Sequence, residues 1–301
     1  MPALVSFTIP VDGIFSFEEC LWYLDRGYDD CLYVVRNNTL LRALPFGKET
    51  LLLRIQGFPA GLRVTVCSGR ASEEAIQFAG QYIRDWFDLD RSLQPFYRLL
   101  HAHPALAYMP AAFRGLRLTG IPDLFEALSW SIIGQQINLS FAYRLKRKLT
   151  EHFGSKATWG ADTCWMFPEP EVLASAPAGI LREMQFSQRK AEYLIGLAAA
   201  FAEGRLSRPL IEGLPDLESR QQVLTAIRGV GIWTANYTLM KSLRNMDAVP
   251  YGDAGLLQAL IRHRLISDRK DQAGMDRLFR RFRGWESYLV FYLWRSLSVK
   301  E

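Results

Sequence analysis

The residues whose types and spacing could do chemistry fall between Leu217 and Leu260, LESRQQVLTAIRGVGIWTANYTLMKSLRNMDAVPYGDAGLLQAL. Gly229-Val230-Gly231 forces a tight turn between two helical patterns, and two glycines tolerate the positive φ that such a turn needs. A turn at a helix N-terminus leaves backbone N–H groups for an anion, and the helix dipole favours a phosphate there. Contacts of that kind ignore base identity, so they would hold a nucleic acid without reading its sequence. Downstream, Pro250 and Gly252 interrupt the second helix and Asp253 opens a third. On residue type alone Asp253 is an N-cap, and Gly-x-Gly alone is a helix–helix turn. The order hairpin, helix, Pro/Gly loop, aspartate is a far more specific pattern than either part.

The elements that must position this stretch follow from the rest of the chain. With 301 residues, 49% hydrophobic and 22% charged, the chain is long enough for two domains and reads as globular. Residues 1 to about 70 carry β-branched or alternating apolar runs, with Asn37-Asn38 as a hairpin turn and one helix near Phe17 to Arg26. Ser72 caps a second helix through Trp86. Strand signals then stop, and the remainder reads as helices joined by short loops, with Asp123, Ser187 and Asp271 opening three of them. The stretch TWGADTCWMFPEPEVLASAP is expected to be an irregular loop. The fold class is therefore α+β. Residues 1–100 form a small antiparallel-sheet domain, and 101–301 form an all-α domain.

Charge and cysteine usage narrow the function. Residues 1 to 105 hold 10 Lys and Arg against 12 Asp and Glu, which leaves 26 against 19 for the remainder. The basic excess lies wholly with the hairpin, as a polyanion-binding part would have it. Arg144, Lys146, Arg147 and Lys148 read as a solvated helix face rather than a phosphate site. Cys20, Cys31, Cys67 and Cys164 match no zinc or iron–sulfur spacing and are expected to be buried free thiols. His101 and His103 lack further ligands nearby, so no metal site is expected. No apolar run reaches membrane-span length and the N-terminus lacks a basic signal head, so a cytoplasmic location is expected.

IRGVGIWTANYTLM followed by VPYGDAGLL resembles the helix-hairpin-helix and Gly/Pro-rich loop with aspartate of the DNA glycosylase superfamily. GLRLTGIPDLFEALSWSIIGQQIN and SQRKAEYLIGLA resemble its AlkA branch, the alkylpurine (3-methyladenine) DNA glycosylases. The likeness is strong from about residue 115 to 295 and looser before that. It implies a monomer that excises alkylated bases from double-stranded DNA, in the bacterial cytoplasm or nucleoid. It implies no cofactor, apart from the option of a monovalent cation at the hairpin. By the same resemblance Asp253 is the catalytic carboxylate. Trp233, Tyr237 and Trp285 line the base pocket, with Trp22 or another aromatic of its helix closing it. Gly229, Val230, Gly231, Thr234 and Gln136 contact DNA, Gln136 as the residue that fills the gap left by a flipped base.

Each assignment has a plainer counterpart: Asp253 as a cap only, the aromatics as core, Gln135 and Gln136 as loop polars. Relatives that also cut the backbone carry a lysine two positions after the second hairpin glycine, where this chain has Trp233, so the resemblance implies base removal without lyase chemistry. Two other functions compete with this one: a DNA-binding module without chemistry, and a glycosylase/lyase acting on oxidised bases.

Overall fold

The structure, a computed structural model, describes residues 4–298. Strands β1 (Val5–Pro10), β2 (Tyr33–Arg36), β3 (Thr39–Phe46), β4 (Glu49–Phe58) and β5 (Gly61–Ser68) form one antiparallel sheet in the order β1-β5-β4-β3-β2. Helix α1 (Phe17–Leu24) follows β1, and α2 (Glu73–Phe87) follows β5. Asn37 and Asn38 both take positive φ, 48° and 55°, as a two-residue turn between β2 and β3 requires. Ser72 caps α2 by accepting the Ala75 N–H.

The remaining helices are α3 (Gln94–His101), α4 (Met109–Ala112), α5 (Leu124–Gly134), α6 (Leu139–Phe153), α7 (Pro170–Ala174), α8 (Ala178–Glu183), α9 (Gln188–Ala202), α10 (Arg208–Glu212), α11 (Leu217–Thr225), α12 (Ile232–Lys241), α13 (Ala254–Arg262), α14 (Gln272–Arg281) and α15 (Glu286–Ser296). Helix α5 is apolar on nearly every face, with Leu124 through Ile133 all buried. It packs against α6, α9 and α12, which makes it the central helix of this part. No helix among the described residues is long and apolar enough to cross a membrane.

The helical part is not free of strands. Strands β6 (Ser155–Trp159) and β7 (Asp162–Met166) pair as a hairpin where an irregular loop was expected. Cys164 and Met166 of β7 join Leu41, Ala43, Leu52 and Cys67 in a second apolar cluster. The hairpin thus covers the outer face of the main sheet, and Trp165 N–H donates to Cys31 C=O at 2.8 Å. Only two side chains of β7 are buried, too few to give a strand period in the sequence.

Lys146 also departs from expectation. Its ammonium is buried and bonds Asp30 at 2.9 Å and Glu126 at 3.2 Å, and Glu126 in turn pairs with buried Arg42. The expected solvated cation is half of an internal ion network joining α6, α5 and β3. All four cysteines are free and buried, as their spacing implied.

Candidate active site

Asp253 sits half-buried at the N-cap of α13. Its Oδ1 accepts the Leu256 N–H at 2.7 Å and the Trp294 Nε1–H at 2.9 Å. Both bonds fall on one oxygen, and Oδ2 has no protein partner among the described residues. A Cβ at Gly255 would be in ordinary contact with the Trp294 ring at 3.4 Å and slightly tight against Oδ1 at 3.3 Å, so glycine gives the pair a little extra room. One carboxylate oxygen is anchored and the other is available for chemistry.

Three contacts hold the loop that delivers Asp253. Asn236 of α12 is buried and donates to Val249 C=O at 2.8 Å, while Gln221 of α11 donates to the Asn236 carbonyl oxygen at 2.6 Å. Ser287 of α15 donates to Asn245 and Ala248 C=O groups at 2.7 and 2.8 Å. The second hairpin helix therefore fixes the aspartate loop directly, through Asn236, whose residue type carries no signal of its partner in the sequence.

Aromatic rings continue the site from Trp294. The Tyr237 ring lies 6.2 Å from it and stacks on Trp233 at 5.4 Å. Tyr237 Oη accepts the Trp130 Nε1–H at 3.1 Å and meets Tyr23 Oη at 3.4 Å. Tyr23 of α1, not Trp22, is thus the aromatic of that helix that reaches the wall. Trp22 stands one ring further out, edge-on to Phe291 at 6.2 Å with the Arg295 guanidinium 5.0 Å above it.

Trp285 is placed elsewhere. It stacks on Phe96 at 5.6 Å and packs against Tyr288 at the start of α15, nine positions before Trp294. The ring beside Asp253 and Tyr237 is Trp294, and the expectation for Trp285 is corrected accordingly.

Two cations back this wall. Lys241 is fully buried, 3.7 Å from the Tyr23 ring centroid, with its Nζ bonded to Thr119 C=O. The Arg26 guanidinium lies 4.1 Å from the same ring. Burial pushes the Lys241 ammonium down to about 8. Burial raises the Tyr23 hydroxyl, but Lys241 and Arg26 outweigh that and bring it down to about 8. Tyr237 is held well above the usual phenol range, first by burial and then by Tyr23.

At the hairpin, Gly229 has φ +91°, and a Cβ there would stand 2.4 Å from the Tyr193 ring. Gly231 has φ −88° and open space around it, so its backbone does not need glycine and only the first glycine supplies the turn. Gly231 is the N-cap of α12 and provides no side-chain cap, so the first-turn amides have no side-chain acceptor, and Ile232 beside them is exposed. Val230 is buried with its N–H bonded to Ile227 C=O, and Thr234 is buried too. Gln135 donates from Nε2 to Gly229 C=O at 2.9 Å and Thr234 Oγ1 at 3.0 Å. Thr234 therefore faces the protein rather than solvent. Gln136, the next residue, is exposed with φ +57°. No cluster of three His, Cys, Asp or Glu that could hold a metal occurs among the described residues.

Residues 129–283 match the HhH-GPD superfamily of base excision DNA repair proteins, and residues 29–128 match the N-terminal domain of 8-oxoguanine DNA glycosylase. The chain belongs to the HhH-GPD superfamily. Over 298 residues it is 36% identical to a DNA-3-methyladenine glycosylase of Bacillus subtilis, covering 98% of this chain and 97% of that one. A DNA-3-methyladenine glycosylase 2 of Escherichia coli is 31% identical over 191 residues, 63% of this chain and 64% of that one. A solved 3-methyladenine DNA-glycosylase from Archaeoglobus fulgidus superposes with a TM-score of 0.83 at 21% identity, over 98% of this chain and all of that one. The Bacillus subtilis relative thus matches nearly all of this HhH-GPD chain, sheet and helices together.

Proposed function

We propose that the protein is a monofunctional DNA glycosylase that flips alkylated purines of the 3-methyladenine and 7-methylguanine type out of duplex DNA and hydrolyses their N-glycosidic bond. The observation that carries this reading is Asp253, with one oxygen pinned by Trp294 and Leu256 and the other free beside an aromatic wall. Breaking an N-glycosidic bond builds positive charge on the sugar, and a fixed carboxylate stabilises it or activates water. Alkylation at a ring nitrogen makes the purine a cationic leaving group, so a second, acidic carboxyl is not required. Electron-rich Trp233, Tyr237 and Trp294 suit an electron-poor base. The uncapped amides of α12 take a backbone phosphate, and exposed Gln136 fills the gap in the base stack.

Trp233 stands where a Schiff-base lysine would, so the product is an abasic site without strand cleavage. Lys241 is fully buried with its Nζ bonded to Thr119 C=O, so its amine is not placed to attack a sugar. The enzyme acts as a monomer on DNA in the cytoplasm.

Duplexes carrying 3-methyladenine, 7-methylguanine, hypoxanthine, ethenoadenine or 8-oxoguanine test the reading. Release of the alkylated purines, with no nick and no borohydride-trapped adduct, is expected. No release from any lesion would leave a DNA-binding module, and a trapped adduct would make it a lyase.

A further inference from the structure

Resting on that reading, the geometry points to Lys190 as the positioning residue of base flipping: from α9 it holds the Gln136 loop and, through Gln135, locks that loop to the phosphate-binding hairpin. The Lys190 ammonium donates to Ile133 C=O and to Gln135 C=O, both at 2.7 Å. Those carbonyls end α5, where the helix leaves acceptors unpaired and a cation is favoured. The Gln135 side chain then bonds Gly229 C=O and Thr234 Oγ1, on the hairpin and on the first turn of α12. The backbone of Gln135 is thus held by one helix while its side chain holds the other.

The same turn of α9 reaches the hairpin directly. The Tyr193 ring fills the space that a side chain at 229 would need, and Glu192 pairs with Arg228 at 3.2 Å. Residues 190, 192 and 193 therefore brace the Gln136 loop and the hairpin from one platform. Beyond Gln136 the chain is pinned again, where Asn138 Oδ1 accepts the Phe141 N–H at 2.9 Å. Gln136 itself stands exposed at φ +57°, a left-handed conformation that persists in a non-glycine residue only when its surroundings hold it. Gripping a phosphate and inserting Gln136 become one motion of one rigid piece, since neither loop can shift without breaking the Lys190 and Gln135 bonds.

The test compares unchanged protein with Lys190→Met, Lys190→Arg and Gln135→Met. It reads single-turnover release of 7-methylguanine, fluorescence of a 2-aminopurine placed beside a tetrahydrofuran abasic analogue, and Kd for undamaged duplex. Lys190→Met should slow release by about 30-fold or more, as small displacements at a reacting geometry do. It should also abolish the 2-aminopurine rise while leaving the undamaged-duplex Kd within about threefold. Lys190→Arg, whose guanidinium can donate to both carbonyls, should restore most of the rate.

A Lys190→Met protein that flips and cleaves normally overturns the inference. So does one whose undamaged-duplex affinity falls in step with its rate, since Lys190 would then be a phosphate ligand. If Lys190→Met does not fold, Gln135→Met carries the decision, and normal flipping by that variant overturns the inference. If the unchanged protein releases no base at all, the proposed activity fails instead.

Discussion

Among the described residues the Asp253 carboxylate receives two hydrogen bonds, both on Oδ1, and the Trp294 donor makes one of them. A hydrogen bond to a charged group is worth about 1.5–3 kcal/mol, or roughly 10- to 100-fold in rate if it fixes the reacting oxygen. Trp294→Phe, which keeps an aromatic ring and removes the donor, should therefore lower single-turnover base release by about that factor. Unfolding free energy should fall by no more than that same amount, about 1.5–3 kcal/mol, and equal rates would remove Trp294 from the site. Asp253 was legible as a helix opener because Pro250 and Gly252 break one helix and an aspartate starts the next, whereas the catalytic role proposed for it came from the resemblance. Trp294 was not, because α15 carries five aromatic side chains, counting Trp285 at its N-cap, and sequence offers no direction for any of them. Trp285 and Trp294 are nine residues apart, two and a half turns, so they emerge on opposite sides of the helix. Asn236 and Ser287 left no signal either, since a small polar residue inside a helix shows its partner only after folding.

At the scale of elements, the hairpin's two glycines do different work. Gly229 needs its positive φ and the space beside Tyr193, whereas Gly231 needs neither. Gly229→Ala should destabilise the fold by about 1–3 kcal/mol and weaken binding to undamaged duplex. Gly231→Ala meets no neighbour and needs no positive φ, so it should cost only the preference for glycine over alanine at an N-cap, about 0.5–1 kcal/mol in denaturant titrations. Equal destabilisation by both would contradict this division. The main strands and most helix starts were legible, because alternation, Asn-Asn and the Ser and Asp caps are local signals. The β6–β7 hairpin was not, because what makes it a sheet is its packing on β2 and β3.

Across the whole molecule, the division into residues 1–100 and 101–301 does not separate two cores. One apolar cluster runs from Ile9 and Leu40 through Phe96 and Leu128 to Tyr292. Buried Asp88, next to α2, accepts from Tyr288 Oη of α15 at 2.7 Å and pairs with Arg91 at 2.8 Å. Fully buried Arg117 bonds the carbonyls of Asp88 and Ile14. Calorimetry should therefore show a single cooperative transition, and two resolved transitions would contradict a shared core. The chain's basic excess was legible as composition, but its use was not. Lys146 is spent on an internal ion network and Arg147 on Asp29 and Glu151, so part of the excess never faces a partner.

The most direct test of the account is single-turnover release of 7-methylguanine by Asp253→Asn, read beside its affinity for undamaged duplex. Asparagine caps a helix about as well as aspartate, so the α13 start should survive. Losing the negative charge should lower the rate by about 100-fold or more with affinity within a few fold. An Asp253→Asn enzyme that releases base at the unchanged rate would contradict the assignment of Asp253 as the catalytic carboxylate.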